Sequence, residues 1–230
     1  MTETQARIGI FGGTFNPVHI GHLRAAEEVV GALRLERMIF VPSSAPPHKV
    51  DIPGDRIAPA ELRLEWVRLA IRDNPHFEVD ALEVERGGAS YLVDTLRAIG
   101  GRIAPEKPVF TIGQDAFLDI DSWREPKALF ELAHFAVITR PPNALAPLAG
   151  WLPHCIRGIV EPDRSGVFAL HRRAGTWIRL VEIPALDISS SDIRNRLRND
   201  ESVRYLVPAA VEEAIEKSGA YRNTDGMRRR

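Results

Sequence analysis

A single cysteine, Cys155, occurs in 230 residues, which excludes an internal disulfide and a thiolate metal cluster. Neither sign of charge is in excess: 30 Lys and Arg stand against 31 Asp and Glu. No overall basic field therefore points to a nucleic-acid partner, and any anion site has to be local. No segment approaches the roughly 20 consecutive apolar residues of a membrane span, and the opening MTETQAR lacks the apolar stretch of a signal peptide. These absences predict a cytoplasmic protein without redox chemistry or a membrane partner. Internal repeats and low-complexity blocks are absent too, and the terminal NTDGMRRR reads as a disordered, solvated tail over 223–230. What remains, with a hydrophobic content of 44%, suits one domain over 1–222.

Short β-rich runs alternate with amphipathic stretches of helical length. RIGIF (7–11), RMIFVP (37–42), FEVDALEV (77–84), PVFTIG (108–113), FAVITR (135–140) and IRLVEIP (178–184) are predicted strands. Their alternation with helices implies an α/β fold, a Rossmann-like open parallel sheet with helices on both faces. Within PAELRLEWVRLAIRDN, Leu62, Trp66, Leu69 and Ala70 recur at helical spacing and are predicted core. Prolines break the periodicity of 141–177, predicting an irregular excursion. SSSDIRNRLRND and PAAVEEAIEKSG are predicted closing helices.

The densest motif is GIFGGTFNPVHIGH, residues 9–22. Gly12 and Gly13 permit a tight turn with bare backbone after the first strand. Asn16 is a good N-cap and Pro17 a good first helical residue, so a helix is predicted from Pro17. His19 and His22 then share one helical face beside the positive end of the dipole, an anion site in outline. The dinucleotide fingerprint fails on glycine spacing, the P-loop fails for want of G-K-[ST], and the zincin pair is spaced four apart rather than three. Two structural histidines behind an ordinary turn remain an open alternative.

GGTFNPVHIGH resembles the G-x-F-x-P-x-H-x-G-H motif of nucleotidyltransferases, and within them the bacterial nicotinate mononucleotide adenylyltransferases are the nearest match. PSSAPPHK (42–49), ERGGASYLVDTL (85–96), IGQDAFLDIDSW (112–123), ITRP (138–141) and ISSSDIR (188–194) resemble further family blocks in order. The resemblance implies adenylyl transfer from ATP to nicotinate mononucleotide, giving nicotinate adenine dinucleotide and pyrophosphate. It implies ATP contacts at Gly12, Gly13, Thr14, Phe15, Gly113, Asp115, Ile188, Ser189 and Ser190. His19, His22 and Arg194 become the catalytic set, stabilising charge on the triphosphate. His48, Lys49, Tyr91, Thr95, Trp123 and Arg140 become mononucleotide contacts, Trp123 stacking on the pyridine ring. Ser189 and Asp192 alone read as a helix cap, and Asp115 alone as another.

The resemblance implies no metal bound by protein ligands, only Mg²⁺ carried in by ATP. Departures from the family pattern are Asn16, Ser191 and Leu92, the last bearing on the choice between carboxylate and amide. Nicotinamide mononucleotide and phosphopantetheine are the alternative acceptors, and a non-catalytic nucleotide-binding module is the alternative outside enzymes. An aminoacyl-tRNA synthetase lacks support without a K-M-S-K-S-like segment. Assembly into an oligomer is left open.

Overall fold

Met38 and Phe40 of the strand Arg37–Pro42 belong to one apolar cluster, and Ile39 and Val41 to another, although all four are buried. Successive side chains of a strand point to opposite faces, so this segment lies in a sheet covered on both sides. The computed structural model describes residues 7–45, 57–139, 147–184 and 186–222. Its strands are β1 (Ile8–Gly13), β2 (Arg37–Pro42), β3 (Phe77–Val79), β4 (Val109–Gly113), β5 (His134–Thr139), β6 (Val160–Pro162), β7 (Phe168–His171) and β8 (Trp177–Glu182). Its α-helices are α1 (Ile20–Leu33), α2 (Ala60–Ile71), α3 (Leu82–Arg86), α4 (Leu92–Ile103), α5 (Gln114–Leu118), α6 (Pro126–Leu132), α7 (Ser190–Arg198) and α8 (Ala209–Ser218).

The strands form one sheet in the order β3-β2-β1-β4-β5-β8-β7-β6. The first six in that order are parallel, and β7 and β6 add an antiparallel edge. One face is covered by α1, α2 and α8 through Val29, Trp66, Val67 and Val211. The other is covered by α4, α5 and α6 through Leu96, Ile99, Phe117 and Phe130. The chain leaves β1 toward β2 on one side, whereas β4 returns to pair with β1 on the other. That reversal opens a crevice at the carboxyl ends of β1 and β4, where Gly12, Gly13 and Gly113 lie.

Three predicted boundaries are corrected. FEVDALEV is a strand only to Val79, because Asp80 Oδ1 accepts from the Leu82 N–H at 2.9 Å and starts α3. The excursion over 141–177 is less irregular than its prolines suggest: its described part contains β6 and β7. Most consequential, α1 starts at Ile20 with His19 as its cap residue, not at Pro17. The Asn16 side chain points away from that helix, its Oδ1 accepting from the Ala58 N–H at 3.0 Å and the Tyr221 hydroxyl at 2.5 Å. On α2, Trp66 is buried as predicted and Leu62, Leu69 and Ala70 pack partly buried against the same cluster. Both closing helices form, α7 capped by Ser189 and α8 ended by Gly219 at φ 66°. The predicted tail, 223–230, lies outside the described residues.

Candidate active site

The glycines of the first turn serve close approach. A Cβ on Gly13 would stand 3.0 Å from the Phe15 ring, and one on Gly21 would stand 3.0 Å from His19 Nδ1. Glycine at 21 thus leaves room for the His19 imidazole, which stacks on His22 with ring centroids 3.7 Å apart and planes 28° apart. The two histidines are brought together as their spacing predicts. His22 Nδ1 accepts from the His19 main-chain N–H at 3.2 Å, which places the proton of a neutral His22 on Nε2 as a donor. His19 is 5% exposed, so it is a buried cap residue, not a solvent-facing one. The Phe15 ring is also buried and meets His22 edge-on, 5.1 Å between centroids. That side chain supports the histidine pair from the core.

A second helix N-terminus docks against the same turn. Ser189 Oγ accepts from the Asp192 N–H at 3.0 Å, the capping that its sequence predicts. Next to it, Ser190 Oγ donates to the Pro17 carbonyl at 2.9 Å, and buried Arg194 donates to the Asn16 carbonyl at 2.8 Å and Ser191 Oγ at 3.0 Å. The bonds to the Pro17 and Asn16 carbonyls join residues more than 170 positions apart in the chain and bring Ile188, Ser189, Ser190 and Arg194 beside the histidine turn. Ile188 packs partly buried against the core beneath it.

Across the crevice is a cavity of about 340 Å³ lined by Gly12, Gly13, Thr14, Tyr91, Thr95 and Trp123, among others. Gly12 and Gly13, predicted ATP contacts, and three predicted mononucleotide contacts therefore line one cavity. Gly113 takes the cap position of α5, and Asp115 stands exposed in its first turn, which corrects the reading of Asp115 as a cap. Asp115 is not among the cavity's lining residues. His48, Lys49 and Arg140 lie outside the described residues. Among the described residues no group of three or more His, Cys, Asp or Glu could hold a metal ion, and no helix is long and apolar enough to cross a membrane.

Three charged residues of this region escaped the sequence reading. Arg63 is 1% exposed and donates to three main-chain carbonyls: Thr14 at 2.6 Å, Ser44 at 2.8 Å and Ala58 at 2.9 Å. It ties the glycine turn to the chain that follows β2 and to the chain that enters α2. Burial pulls its pKa down from the ordinary arginine value. Its signal was positional, since Arg63 lies three and four residues before Trp66 and Val67 on the buried stripe. Glu83, in α3, lines the cavity and accepts from the Thr95 hydroxyl. Burial pushes its carboxyl up, against the opposing pull of hydrogen bonds from Thr95 and Ser90. Arg124 also lines the cavity, its guanidinium carbon 4.7 Å from the centroid of the Tyr91 ring.

The chain matches the cytidylyltransferase-like family model over residues 10–196. It is 44% identical to a probable nicotinate-nucleotide adenylyltransferase of Geotalea daltonii, over 94% of this chain and 98% of that one. The chain belongs to the nicotinate-nucleotide adenylyltransferase family. Another relative of the same name, from Moorella thermoacetica, is 42% identical over 96% of this chain and 94% of its own. Among solved structures, a Plasmodium falciparum nicotinic acid mononucleotide adenylyltransferase complexed with NaAD is similar in fold. Its TM-score is 0.69 at 18% identity, with 94% of this chain and 97% of that one covered. Membership of this family agrees with the resemblance carried by the glycine–histidine motif, and the Rossmann-like sheet agrees with the predicted fold class.

Proposed function

We propose that the protein joins the adenylyl group of ATP to nicotinate mononucleotide, giving nicotinate adenine dinucleotide and pyrophosphate, a step of NAD biosynthesis. The observation that carries this reading is the stacked His19–His22 pair at a helix start, set on the same glycine turn as a cavity walled by Tyr91 and Trp123. The names of the relatives support the same acceptor.

In this reaction a 5′-phosphate oxygen of the mononucleotide attacks the α-phosphorus of ATP. The bond from that phosphorus to the bridging oxygen of the β-phosphate breaks, and pyrophosphate leaves with the electron pair. The attacking phosphate is already anionic near neutral pH, so no covalent nucleophile is needed and positioning dominates. The Nε2–H of His22 is a donor for triphosphate oxygens, and His19 fixes that ring by stacking on it and by its own N–H. Bare backbone at Gly12 and Gly13 lets the nucleotide approach, with Thr14, Gly113 and Asp115 on the ATP side of the crevice. The start of α7, with Ile188, Ser189, Ser190 and Arg194, holds the end that leaves as pyrophosphate. Tyr91, Thr95 and Trp123 receive the pyridine ring, with His48, Lys49 and Arg140 as further mononucleotide contacts. Mg²⁺ arrives as part of the MgATP substrate and screens charge on the phosphates. We place this chemistry in the cytoplasm, in one catalytic unit spanning 1–222.

Product analysis tests the reading. With ATP and Mg²⁺, nicotinate mononucleotide should yield one dinucleotide per pyrophosphate. Faster turnover of nicotinamide mononucleotide or phosphopantetheine would overturn the acceptor, and ATP binding without pyrophosphate from any of the three would favour a nucleotide-binding module.

A further inference from the structure

The cavity beside the glycine turn is walled mainly by apolar and aromatic groups, and two of its lining side chains carry ionisable charge of opposite sign, Glu83 and Arg124. Glu83 is 7% exposed, with the Thr95 hydroxyl donating to it. Burial favours its uncharged form. Arg124 is the opposite case: its side chain is 53% exposed, and it lies over the Tyr91 ring at 4.7 Å.

Its neighbours leave that guanidinium loosely engaged. Glu125 is held by Arg97, at 3.1 and 2.5 Å to the two carboxylate oxygens. Asp94 approaches Arg124 no closer than 3.8 Å. Arg124 lies over the Tyr91 ring and lines the same cavity as Trp123, so the cation stands at the aromatic wall that Tyr91 forms. A planar ring held in that cavity meets, in the lining, one cation, Arg124, and one buried carboxyl, Glu83, that the Thr95 hydroxyl already engages.

We infer that Arg124 is a specificity-determining residue, selecting an acceptor whose ring bears a carboxylate over one bearing a neutral amide. The inference rests on the adenylyl-transfer reading above and deepens it. A carboxylate gains a charge-assisted contact from a guanidinium that an amide oxygen gains only weakly. The site is partly open to water, which limits the discrimination to about tenfold, or 1.4 kcal/mol.

The test is the ratio of kcat/KM for nicotinate mononucleotide to that for nicotinamide mononucleotide, measured in the full-length wild type, Arg124→Met and Arg124→Lys. Arg124 is exposed, so both variants should fold, with melting curves as the check. The Met variant should lower the ratio about tenfold, the Lys variant should restore part of it, and added salt should lower it in the wild type but not in the Met variant. An unchanged ratio, or equal losses on both acceptors, would overturn the inference while leaving adenylyl transfer intact. A wild type inert toward nicotinate mononucleotide would instead overturn the reading on which it rests.

Discussion

Asn16 is 4% exposed, and its side-chain oxygen accepts from both the Ala58 N–H and the Tyr221 hydroxyl. Asn16→Ala should therefore lower stability by about 1–3 kcal/mol, because the buried Ala58 N–H loses its acceptor. The midpoint of urea unfolding checks this, and a midpoint within error of wild type would contradict it. The same residue shows where local reading stops. A pattern of Asn-Pro before apolar periodicity is a sound helix start by capping preference, yet both partners of Asn16 are distant, 42 and 205 residues away. Their pull moves the helix start to Ile20 and makes His19 the cap residue. The closeness of His19 and His22 was legible from their three-residue spacing, but the stack joins a cap residue in extended backbone to the third residue of the helix rather than two residues of one helical face. Glu83 and Arg124 were not, since neither is set apart until the fold closes a cavity around it.

At the scale of elements, α2 is the informative case. Its apolar stripe was legible from periodicity, but nothing in that stripe singles out Arg63, because arginine is almost never fully buried unless paired. Arg63 is paired, though with carbonyls of three separate segments: Thr14, Ser44 and Ala58. Arg63→Met keeps much of the apolar stem and removes the donors, leaving those carbonyls unsatisfied. It should cost at least about 2 kcal/mol, and Arg63→Lys should recover only part, since an ammonium cannot span all three in one plane. Melting temperatures of the two variants check the order, and a Lys variant as stable as wild type would contradict it. Strands β6 and β7 escaped for another reason. They are three and four residues long, too short for periodicity to register, and antiparallel pairing at the edge of the sheet supplies what local sequence does not.

At the scale of the whole molecule, the strand order places the turn after β1 and the turn after β4 side by side, and only topology could do this. The sheet also buries a titratable group far from that crevice in sequence. His134 opens β5 at 3% exposed, stacks on the Trp177 ring at 4.5 Å, and accepts the Trp177 main-chain N–H on Nδ1 at 3.1 Å. Burial, with a smaller push from Lys107, holds its pKa down to about 4. The unfolded chain, with a histidine near its ordinary 6.5, binds more protons than the native state between those two values. Stability from this residue is therefore complete above pH 6.5 and is lost progressively as pH falls toward 4, by roughly 3 kcal/mol. Urea midpoints from pH 7.5 to 4.5 should fall in the wild type and fall less in His134→Asn. Equal slopes would contradict the assignment.

Stacked histidines that clamp charge during adenylyl transfer should be needed for turnover, and removal of one of them shows whether they are. His19→Ala takes away the ring that backs His22 at a buried cap position, so some loss of stability accompanies it. The assay therefore runs below the variant's melting transition, on protein shown folded by circular dichroism. Pyrophosphate release with saturating MgATP and nicotinate mononucleotide should drop by a hundredfold or more, on the order of 3 kcal/mol of transition-state stabilisation. A folded His19→Ala protein that releases pyrophosphate at a rate near wild type would contradict that role.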